Sequence, residues 1–348
     1  MRKTYFSFSL LLFCLICIFM SGCSGKKTAA EPSIQESKRI TIGFSLDSLI
    51  VERWIRDRDV FVAAAGALGA DVIFQNAAND AYEQVNQVKY LVDSNVDVLV
   101  IIPQYADLLS DIVQKARTKG IKVISYDRLI RNANVDLYIS VNSIEVGKLM
   151  AEAVAEKVPA GNYAFINGPQ SDYNVNLMRQ GFDSVLRNYP DVTRACDFFA
   201  ENWSYDKAFE QASFLLDAGI PFDAVICGND GLAGGVIRAL SEHRIAGTIP
   251  VVGQDADIAA CQHIAEGLQL MTVYKPISEL ARTAAAVAVQ MASGAFVFPE
   301  EKINDGTFDV PVYWIPPVAV TRENMDDIII DSGFHTAEEV YRYKTAVN

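Results

Sequence analysis

Val123-Ile124-Ser125-Tyr126-Asp127-Arg128 is a short apolar run that ends in two charged residues. Valine, isoleucine and tyrosine suit a pleated, half-buried surface, so the run predicts a β-strand. Gly120 stands just before it, where a preceding helix would end. The charged pair would then lie at the carboxyl end of the strand, where open α/β sheets bind ligands. A carboxylate beside a guanidinium suits a polyhydroxylated ligand, although a surface ion pair explains the two residues equally well.

Predicted strands and helices alternate on both sides of this run. Residues 96–102 are almost continuously apolar, as expected of a parallel strand that is buried on both faces. The alternation predicts a parallel sheet with right-handed crossovers. Because the same rhythm restarts at residue 137, we predict an α/β protein with two Rossmann-like domains, each built on a parallel sheet.

The last eighty residues predict how these domains are joined. A strand over 270–274 precedes an alanine-rich helix over 277–291 and an extended segment over 312–320. We predict that the chain returns to the first domain near Lys275 and crosses back near Asp309. The N-terminal lobe is then 39–140 and 275–309, and the C-terminal lobe 141–274 and 310–348. Several crossing segments would make a hinge, with a ligand cleft between the lobes.

The N-terminus carries the pattern of an export signal. Arg2 and Lys3 precede an apolar run over 6–20, and Ser21-Gly22 precede Cys23. Such a leader marks export, and a small pair before cysteine resembles the bacterial lipoprotein box. We predict a signal peptide over 1–22, a lipid on Cys23 and a flexible tether over 23–38. An uncleaved membrane anchor is the alternative, and both place the protein outside the cytoplasm at the membrane.

Length, charge and cysteine content exclude several classes of protein. A chain of 348 residues is long enough for two domains. A net charge of −13 would be repelled by phosphate backbones, so we expect no nucleic-acid partner. Beyond the leader and Cys23, the scattered Cys196, Cys227 and Cys261 suggest neither a disulfide framework nor a zinc site. The sequence indicates no metal and no cofactor.

Polar residues recur where other predicted strands end or helices begin: Arg53 in "ERW", Asp172 and Asn174, Asn229 and Asp230, Asp255 in "GQDAD", and Lys275. Each has a local explanation, because Asn and Asp cap helices and a loop lysine is usually solvated. Trp54 on a helical stripe is more often a core residue. Trp203, in the polar loop "AENWSYD", is harder to explain without a ligand. An aromatic ring could cover the C–H face of a sugar while polar neighbours bind its hydroxyls.

Five segments together resemble a known family: "LDSLIVERWIRDRDVF", "ISYDR", "ICGNDGLAGG", "VGQDAD" and "MTVYKP". They are similar to the D-xylose-binding proteins of bacterial ABC sugar uptake, within the ribose/galactose-type periplasmic-binding-protein family. The likeness runs from about residue 40 to about residue 335 and implies the type I periplasmic-binding-protein fold. It implies that the pentose hydroxyls are held by Arg53, Asp127, Arg128, Asn174, Asn229, Asp255 and Lys275, with Trp54 and Trp203 stacking on the ring.

The resemblance implies a binding protein that captures D-xylose or a related monosaccharide and delivers it to an ABC permease. A subunit that presents the closed form to the extracellular domain of a sensor kinase is an alternative. A sugar-processing enzyme would need two carboxylates, one of them with a raised pKa. The candidate carboxylates have cations nearby in these motifs, and nearby cations lower a carboxyl pKa, so we expect no enzyme.

Overall fold

The computed structural model describes residues 39–50 and 53–342, in which strands and helices alternate along the chain. The predicted signal peptide, Cys23 and the tether lie outside these residues. The strands are β1 (Thr41–Leu46), β2 (Asp71–Asn76), β3 (Val98–Ile101), β4 (Lys122–Tyr126), β5 (Leu137–Val141), β6 (Gly161–Asn167), β7 (Val192–Phe199), β8 (Ala224–Cys227), β9 (Val251–Gln254), β10 (Met271–Tyr274), β11 (Lys302–Asn304), β12 (Asp309–Ile315) and β13 (Val318–Val320).

The α-helices are α1 (Arg53–Ala67), α2 (Ala81–Asp93), α3 (Ser110–Thr118), α4 (Ser143–Lys157), α5 (Tyr173–Leu186), α6 (Tyr205–Asp217), α7 (Asp230–Glu242), α8 (Ile258–Glu266), α9 (Ile277–Ala292) and α10 (Ala337–Val340). A 3₁₀ turn at Glu201–Trp203 and a π-helical turn at Asp326–Ile330 complete the helical elements of the described residues. Among those residues no helix is both long and apolar enough to cross a lipid bilayer.

The strands form two sheets, in the orders β11-β12-β5-β4-β3-β1-β2 and β13-β10-β9-β8-β6-β7. Neighbouring strands are parallel except for the antiparallel pairs β11–β12 and β10–β13 at one edge of each sheet. The prediction of an α/β protein with two parallel-sheet domains is therefore confirmed. The lobe built on the first sheet is called here the first lobe, and the lobe built on the second sheet the second lobe.

Buried apolar strands and side-chain caps produce this alternation locally. All four residues of β3, Val-Leu-Val-Ile, are buried, which suits a strand covered by helices on both faces. The carboxylate of Asp80 accepts hydrogen bonds from two backbone amides at the start of α2, and Asn142 does the same at α4. Gly120 ends α3 with a φ of 82°, a backbone conformation that glycine adopts without steric cost.

The chain passes from one sheet to the other at three places in its described part: after β5, after β10 and between β12 and β13. The backbone amide of Asn142 donates to the carbonyl of Ile315 at 3.3 Å, so the first and third connections are neighbours. The predicted crossing near Asp309 was too early, because β12 pairs with β5 of the first sheet. An apolar extended segment suits either sheet, and only the pairing itself decides between them.

Helices α4 and α5 pack with their backbones in close approach. A Cβ atom at Gly147 would lie 2.1 Å from the carbonyl oxygen of Met178, and one at Gly181 would lie 2.2 Å from that of Ile144. Glycine at both positions therefore fixes α5 closely against α4. The N-terminus of α5 is held in place at the edge of the cleft between the lobes, where Asp172 caps it.

Candidate functional site

The carboxyl ends of the strands in the two lobes face one small cavity. The cavity is lined by Arg53, Trp54, Asp127, Arg128, Asp172, Asn174, Trp203, Asn229, Gln254, Asp255 and Lys275. The structure thus brings together all nine residues that the sequence predicted to bind a ligand.

Both lobes contribute to this lining. The first lobe supplies the start of α1 and the residues that follow β4, and the second lobe supplies Gln254 at the end of β9 and the residues that follow β6, β7, β8, β9 and β10. The carboxyl ends of parallel strands meet at the same edge of each sheet, which explains why residues so distant in sequence converge. Gln254 was not predicted as a lining residue, although it stands in the quoted segment "VGQDAD".

Arg53 is the centre of a buried cluster of ionised groups. Its Nη2 lies 2.9 Å from Asp127 Oδ2, and its Nε lies 3.2 Å from Asp57 Oδ2. Its Nη1 is 3.8 Å from Asp255 Oδ1 and makes no hydrogen bond within the described residues. Asp57, which also accepts a hydrogen bond from the Tyr126 hydroxyl, was not predicted. Its position one helical turn after Arg53 is the sequence feature that could have indicated this contact.

Asp127 has a backbone conformation that several neighbouring groups stabilise. Its φ is 60°, in the left-handed region, and its carbonyl oxygen accepts hydrogen bonds from Tyr138 Oη at 2.8 Å, Ser140 Oγ at 2.6 Å and Asn174 Nδ2 at 3.0 Å. Such strain persists only where the surroundings impose it. These hydrogen bonds come from both lobes, since Asn174 lies on α5 of the second lobe.

Three cations keep the Asp127 carboxyl ionised. Burial alone would raise its pKa, but the charges of Arg53, Lys275 and Arg128 hold the pKa of Asp127 below its ordinary value. A carboxylate of this kind accepts hydrogen bonds at neutral pH and is poorly suited to act as a general acid. The shift has the direction that the sequence motifs predicted for this residue.

Arg128 is held by carboxylates from both lobes. Its Nη1 forms an ion pair with Asp47, which follows β1, and its Nε lies 2.6 Å from Asp172 Oδ2. Burial raises the pKa of Asp47 and of Asp172, although the charge of Arg128 opposes the increase. Asp47 was not predicted, although it follows the carboxyl end of a strand as the predicted residues do.

Asn229, Asp255 and Lys275 line the side of the cavity formed by the second lobe. Asn229 Oδ1 accepts from the Leu232 amide at 2.9 Å, so this residue caps α7 and also lines the cavity. Lys275 Nζ lies 2.8 Å from Asp255 Oδ1, and both side chains are buried. The alternative of a solvated loop lysine is therefore wrong for Lys275.

The two predicted tryptophans come from opposite lobes. Trp54 is buried, with the guanidinium carbons of Arg53 and Arg128 at 4.4 and 5.4 Å from its ring centroid. Trp203 lies against Gly168, where a Cβ atom would be 2.3 Å from Trp203 Cη2. Neither Nε1 atom has a hydrogen-bond partner among the described residues. The absence of a side chain at Gly168 therefore makes room for the Trp203 ring at the cavity.

Asp230 is a buried carboxyl group directly behind the lining of the second lobe. Its Oδ2 accepts from Thr272 Oγ1 at 2.7 Å and from the Asp257 amide at 3.1 Å, and its Oδ1 accepts from Gln269 Nε2 at 2.9 Å. Burial raises the pKa of Asp230 to about 8; the hydrogen bond from Thr272 opposes this increase and the charge of Asp255 adds to it.

This shift predicts a pH dependence of stability that Asp230→Asn should remove. The unfolded chain has a carboxyl pKa of about 3.9, so between that pH and about 8 the folded state holds a proton that the unfolded state has lost. The contribution of this group to the free energy of unfolding therefore falls as the pH rises through that window.

Urea unfolding of the wild-type protein and of the Asp230→Asn variant between pH 5 and pH 8 measures this effect. We expect the variant to gain stability relative to the wild type as the pH rises. Parallel stability curves for the two proteins would show that Asp230 has an ordinary pKa.

Taken together, the cavity presents guanidinium, ammonium, amide and carboxylate groups around a small volume, with two aromatic faces. Buried charges are stable only when they are paired or hydrogen-bonded, and Arg53 Nη1 remains available for a ligand oxygen. Charged and neutral hydrogen-bond donors and acceptors, together with an aromatic face, suit a neutral molecule that carries several hydroxyl groups.

Comparison with known proteins gives consistent matches over most of the chain. A family model described as a periplasmic binding protein domain matches residues 42–295. The D-xylose-binding periplasmic protein of Haemophilus influenzae is 40% identical over 313 residues, which cover 89% of this chain and 94% of that protein. The D-xylose-binding periplasmic protein of Escherichia coli is 40% identical over 308 residues, covering 87% of this chain and 93% of that protein.

A solved structure shares the same architecture. The ABC transporter solute binding protein from Clostridium phytofermentans with bound β-D-glucose superposes with a TM-score of 0.79 at 28% sequence identity. The superposition covers 86% of this chain and 99% of that chain.

Proposed function

Since the chain belongs to the periplasmic binding protein family and has its type I fold, we propose that it captures D-xylose, or a closely related monosaccharide, in the cavity between its lobes. The observation that carries the proposal is the convergence of Arg53, Asp127, Asp255 and Lys275 on one small cavity. A site built to hydrogen-bond hydroxyl groups rejects a ligand that lacks one of them, because the protein groups are then left unpaired.

The affinity expected for this site follows from the size of the sugar. A pentose has about ten non-hydrogen atoms, and roughly 0.8 kcal/mol per atom lies below the ceiling for very small ligands. The product, about 8 kcal/mol, corresponds to a dissociation constant of about 1 μM. Such an affinity would suit a receptor that collects sugar from dilute solution outside the cell.

Calorimetric titration with D-xylose, L-arabinose, D-ribose and D-glucose tests the proposal. We expect D-xylose to bind with a dissociation constant of about 1 μM and at least one of the other sugars to bind more weakly. The absence of heat with every sugar at millimolar concentration would overturn the proposal.

The delivery step that we propose is transfer of the sugar to a membrane ABC permease. In support, the two D-xylose-binding relatives are periplasmic, and the glucose-bound structure is that of an ABC transporter solute binding protein. We infer that the protein acts outside the cytoplasm and does not catalyse a reaction. The lowered pKa of Asp127 supports a hydrogen-bonding role for that residue.

Membrane anchoring through Cys23 is the remaining part of the proposal. Cells that produce the full chain should incorporate a labelled fatty acid into the protein, because the small pair Ser21-Gly22 precedes the cysteine. Cys23→Ser should lose the label, whereas Cys14→Ser, within the leader, should keep it. Equal labelling of wild type and Cys23→Ser would mean that the protein is not lipidated at this residue.

Tryptophan fluorescence should report the sugar directly. Of the three tryptophans, Trp54 and Trp203 line the cavity, whereas Trp314 donates its Nε1 hydrogen to Glu301 at 2.8 Å and does not line it. We expect D-xylose to change the emission of the wild-type protein. Trp203→Ala should reduce affinity by about tenfold to a hundredfold, the scale of losing an aromatic contact of roughly 1.5–3 kcal/mol.

Trp314→Phe is the matched control and should bind D-xylose as the wild type does, with the fluorescence change retained. A flat titration of the wild-type protein at millimolar sugar would count against an aromatic contact with the ligand. So would an unchanged affinity in Trp203→Ala.

A further inference from the structure

Asp172 lines the cavity, but the family resemblance does not place it among the sugar ligands. Both of its oxygens are occupied by protein groups. Oδ1 accepts a hydrogen bond at 3.0 Å from the backbone amide of Asn174, and through this bond Asp172 caps α5 of the second lobe. Oδ2 lies 2.6 Å from Nε of Arg128, which belongs to the first lobe. One carboxylate therefore joins the two lobes.

The opposite edge of the same guanidinium is held within its own lobe. Nη1 of Arg128 pairs with Asp47 and lies 3.3 Å from the carbonyl oxygen of Pro103. These residues follow β1 and β3 of the first sheet, so their contacts with Arg128 do not depend on the position of the second lobe. Asp47 and Asp172 thus make chemically similar contacts, and only the contact with Asp172 crosses the cleft.

Other contacts between the lobes gather near the start of α5. The amide of Ala106 donates to the carbonyl oxygen of Ser171 at 3.3 Å, and the Tyr138 hydroxyl oxygen lies 3.2 Å from Asn174 Oδ1. The N-terminus of α5 is therefore a place where the second lobe contacts the first. The Asp172–Arg128 pair is the charged contact among them, and both of its side chains are buried.

We propose that Asp172 is a positioning residue that acts through Arg128: it holds the guanidinium toward the cavity when the lobes are closed and so slows release of the sugar. The inference rests on the proposed function. A contact shifts an equilibrium between conformations only if it differs between them. Separation of the lobes breaks the Asp172–Arg128 pair and keeps the Asp47–Arg128 pair. The first pair stabilises the closed form alone, whereas the second stabilises both forms.

Asp172→Asn and Asp47→Asn form a matched pair for the test, because each removes the negative charge of one carboxylate that pairs with the Arg128 guanidinium. Asparagine at position 172 keeps the cap of α5, since asparagine and aspartate cap helices equally well. D-xylose binding and release are followed by stopped-flow tryptophan fluorescence, and thermal unfolding is followed without sugar.

For Asp172→Asn we expect the dissociation rate to rise by roughly tenfold to a hundredfold, the scale of a charge-assisted hydrogen bond. The association rate should stay within about twofold, because mutations in one interface act mostly on dissociation. The unfolding midpoint without sugar should match that of the wild type. Asp47→Asn should instead lower that midpoint, since its ion pair persists when the lobes are apart.

An unchanged dissociation rate in Asp172→Asn would overturn the inference and leave the proposed function intact. An unfolding midpoint of Asp172→Asn lowered as much as that of Asp47→Asn would also overturn the inference, because the Asp172–Arg128 pair would then stabilise the protein whether the lobes are open or closed. If Asp172→Asn does not fold, Asp172→Ser keeps a capping hydroxyl and takes its place. If the wild-type protein binds no sugar, the proposed function fails, and this inference fails with it.

Discussion

Asp127→Asn is expected to weaken D-xylose binding by about a hundredfold or more while the protein still folds. The substitution removes the charge from a buried carboxylate that lies 2.9 Å from Arg53 Nη2. Hydrogen bonds to charged groups contribute about 1.5–3 kcal/mol each, and about 2.7 kcal/mol corresponds to a hundredfold change in affinity. We expect the loss to be large because the ionised form of this residue is stabilised by three neighbouring cations.

Asparagine is the informative replacement at this position for two reasons. It has nearly the same shape as aspartate, and it tolerates the left-handed conformation at φ 60° better than other non-glycine residues. Its backbone carbonyl can keep the hydrogen bonds from Tyr138 and Ser140. Alanine would also remove the side-chain contacts to Arg53 and Asn174, so it would mix a loss of affinity with a loss of stability.

Calorimetric titration with D-xylose measures the effect of Asp127→Asn. Asp183→Asn is the control, because Asp183 is exposed and pairs with Arg194 outside the cavity, and it should bind as the wild type does. An affinity of Asp127→Asn within about threefold of the wild type, or a difference below about 0.7 kcal/mol, would mean that Asp127 does not bind the sugar.

Arg53→Leu is expected to cause the largest loss of stability. The substitution leaves the buried carboxylates of Asp57 and Asp127 without the cation that lies within 3.2 Å of each. Removing one partner of a buried ion pair costs roughly 3–5 kcal/mol, because the remaining charge stays buried and uncompensated. Protonation of Asp127 would relieve part of this penalty, but a neutral Asp127 would no longer be the ionised acceptor that the proposed sugar site requires.

Urea unfolding at neutral pH measures this loss. Arg58→Leu on the same helix is the matched control, because its ion pair with Asp59 is partly exposed, and such pairs contribute about 0–1 kcal/mol. A loss below about 1 kcal/mol in Arg53→Leu would show that the cluster is not electrostatically coupled as the distances indicate.

The positions of most cavity-lining residues were predictable because of a property of parallel sheets. Each candidate followed a strand or opened the helix after it, and all carboxyl ends of the strands in one parallel sheet lie at the same edge. Asp127 and Arg128 after β4 could therefore be placed at the ligand-binding edge of the first sheet, and Asn229 after β8 at that of the second, whereas the complete set followed from the family resemblance.

The residues that support this lining were harder to predict. Asp57 and Asp47 contact Arg53 and Arg128 but do not line the cavity. The spacing of Asp57 from Arg53 and the position of Asp47 after β1 are features that many other acidic residues share, so they do not single these two out. Trp54 was expected to be either a core residue or a ligand contact, and the structure shows it to be both buried and part of the cavity lining. A side chain on an amphipathic helix can satisfy both descriptions when the helix begins at a cleft.

The sequence alone determined the α/β class, the two domains, and the residues that follow the strands. These depend on local periodicity and on the order of elements, which the chain carries without reference to distant parts. The tertiary structure alone decided that β12 joins the first sheet, that Asp172 pairs across the cleft with Arg128, and that burial raises the pKa of Asp230. Strand pairing, contact between lobes and desolvation all depend on atoms far apart in the chain, so local sequence does not specify them.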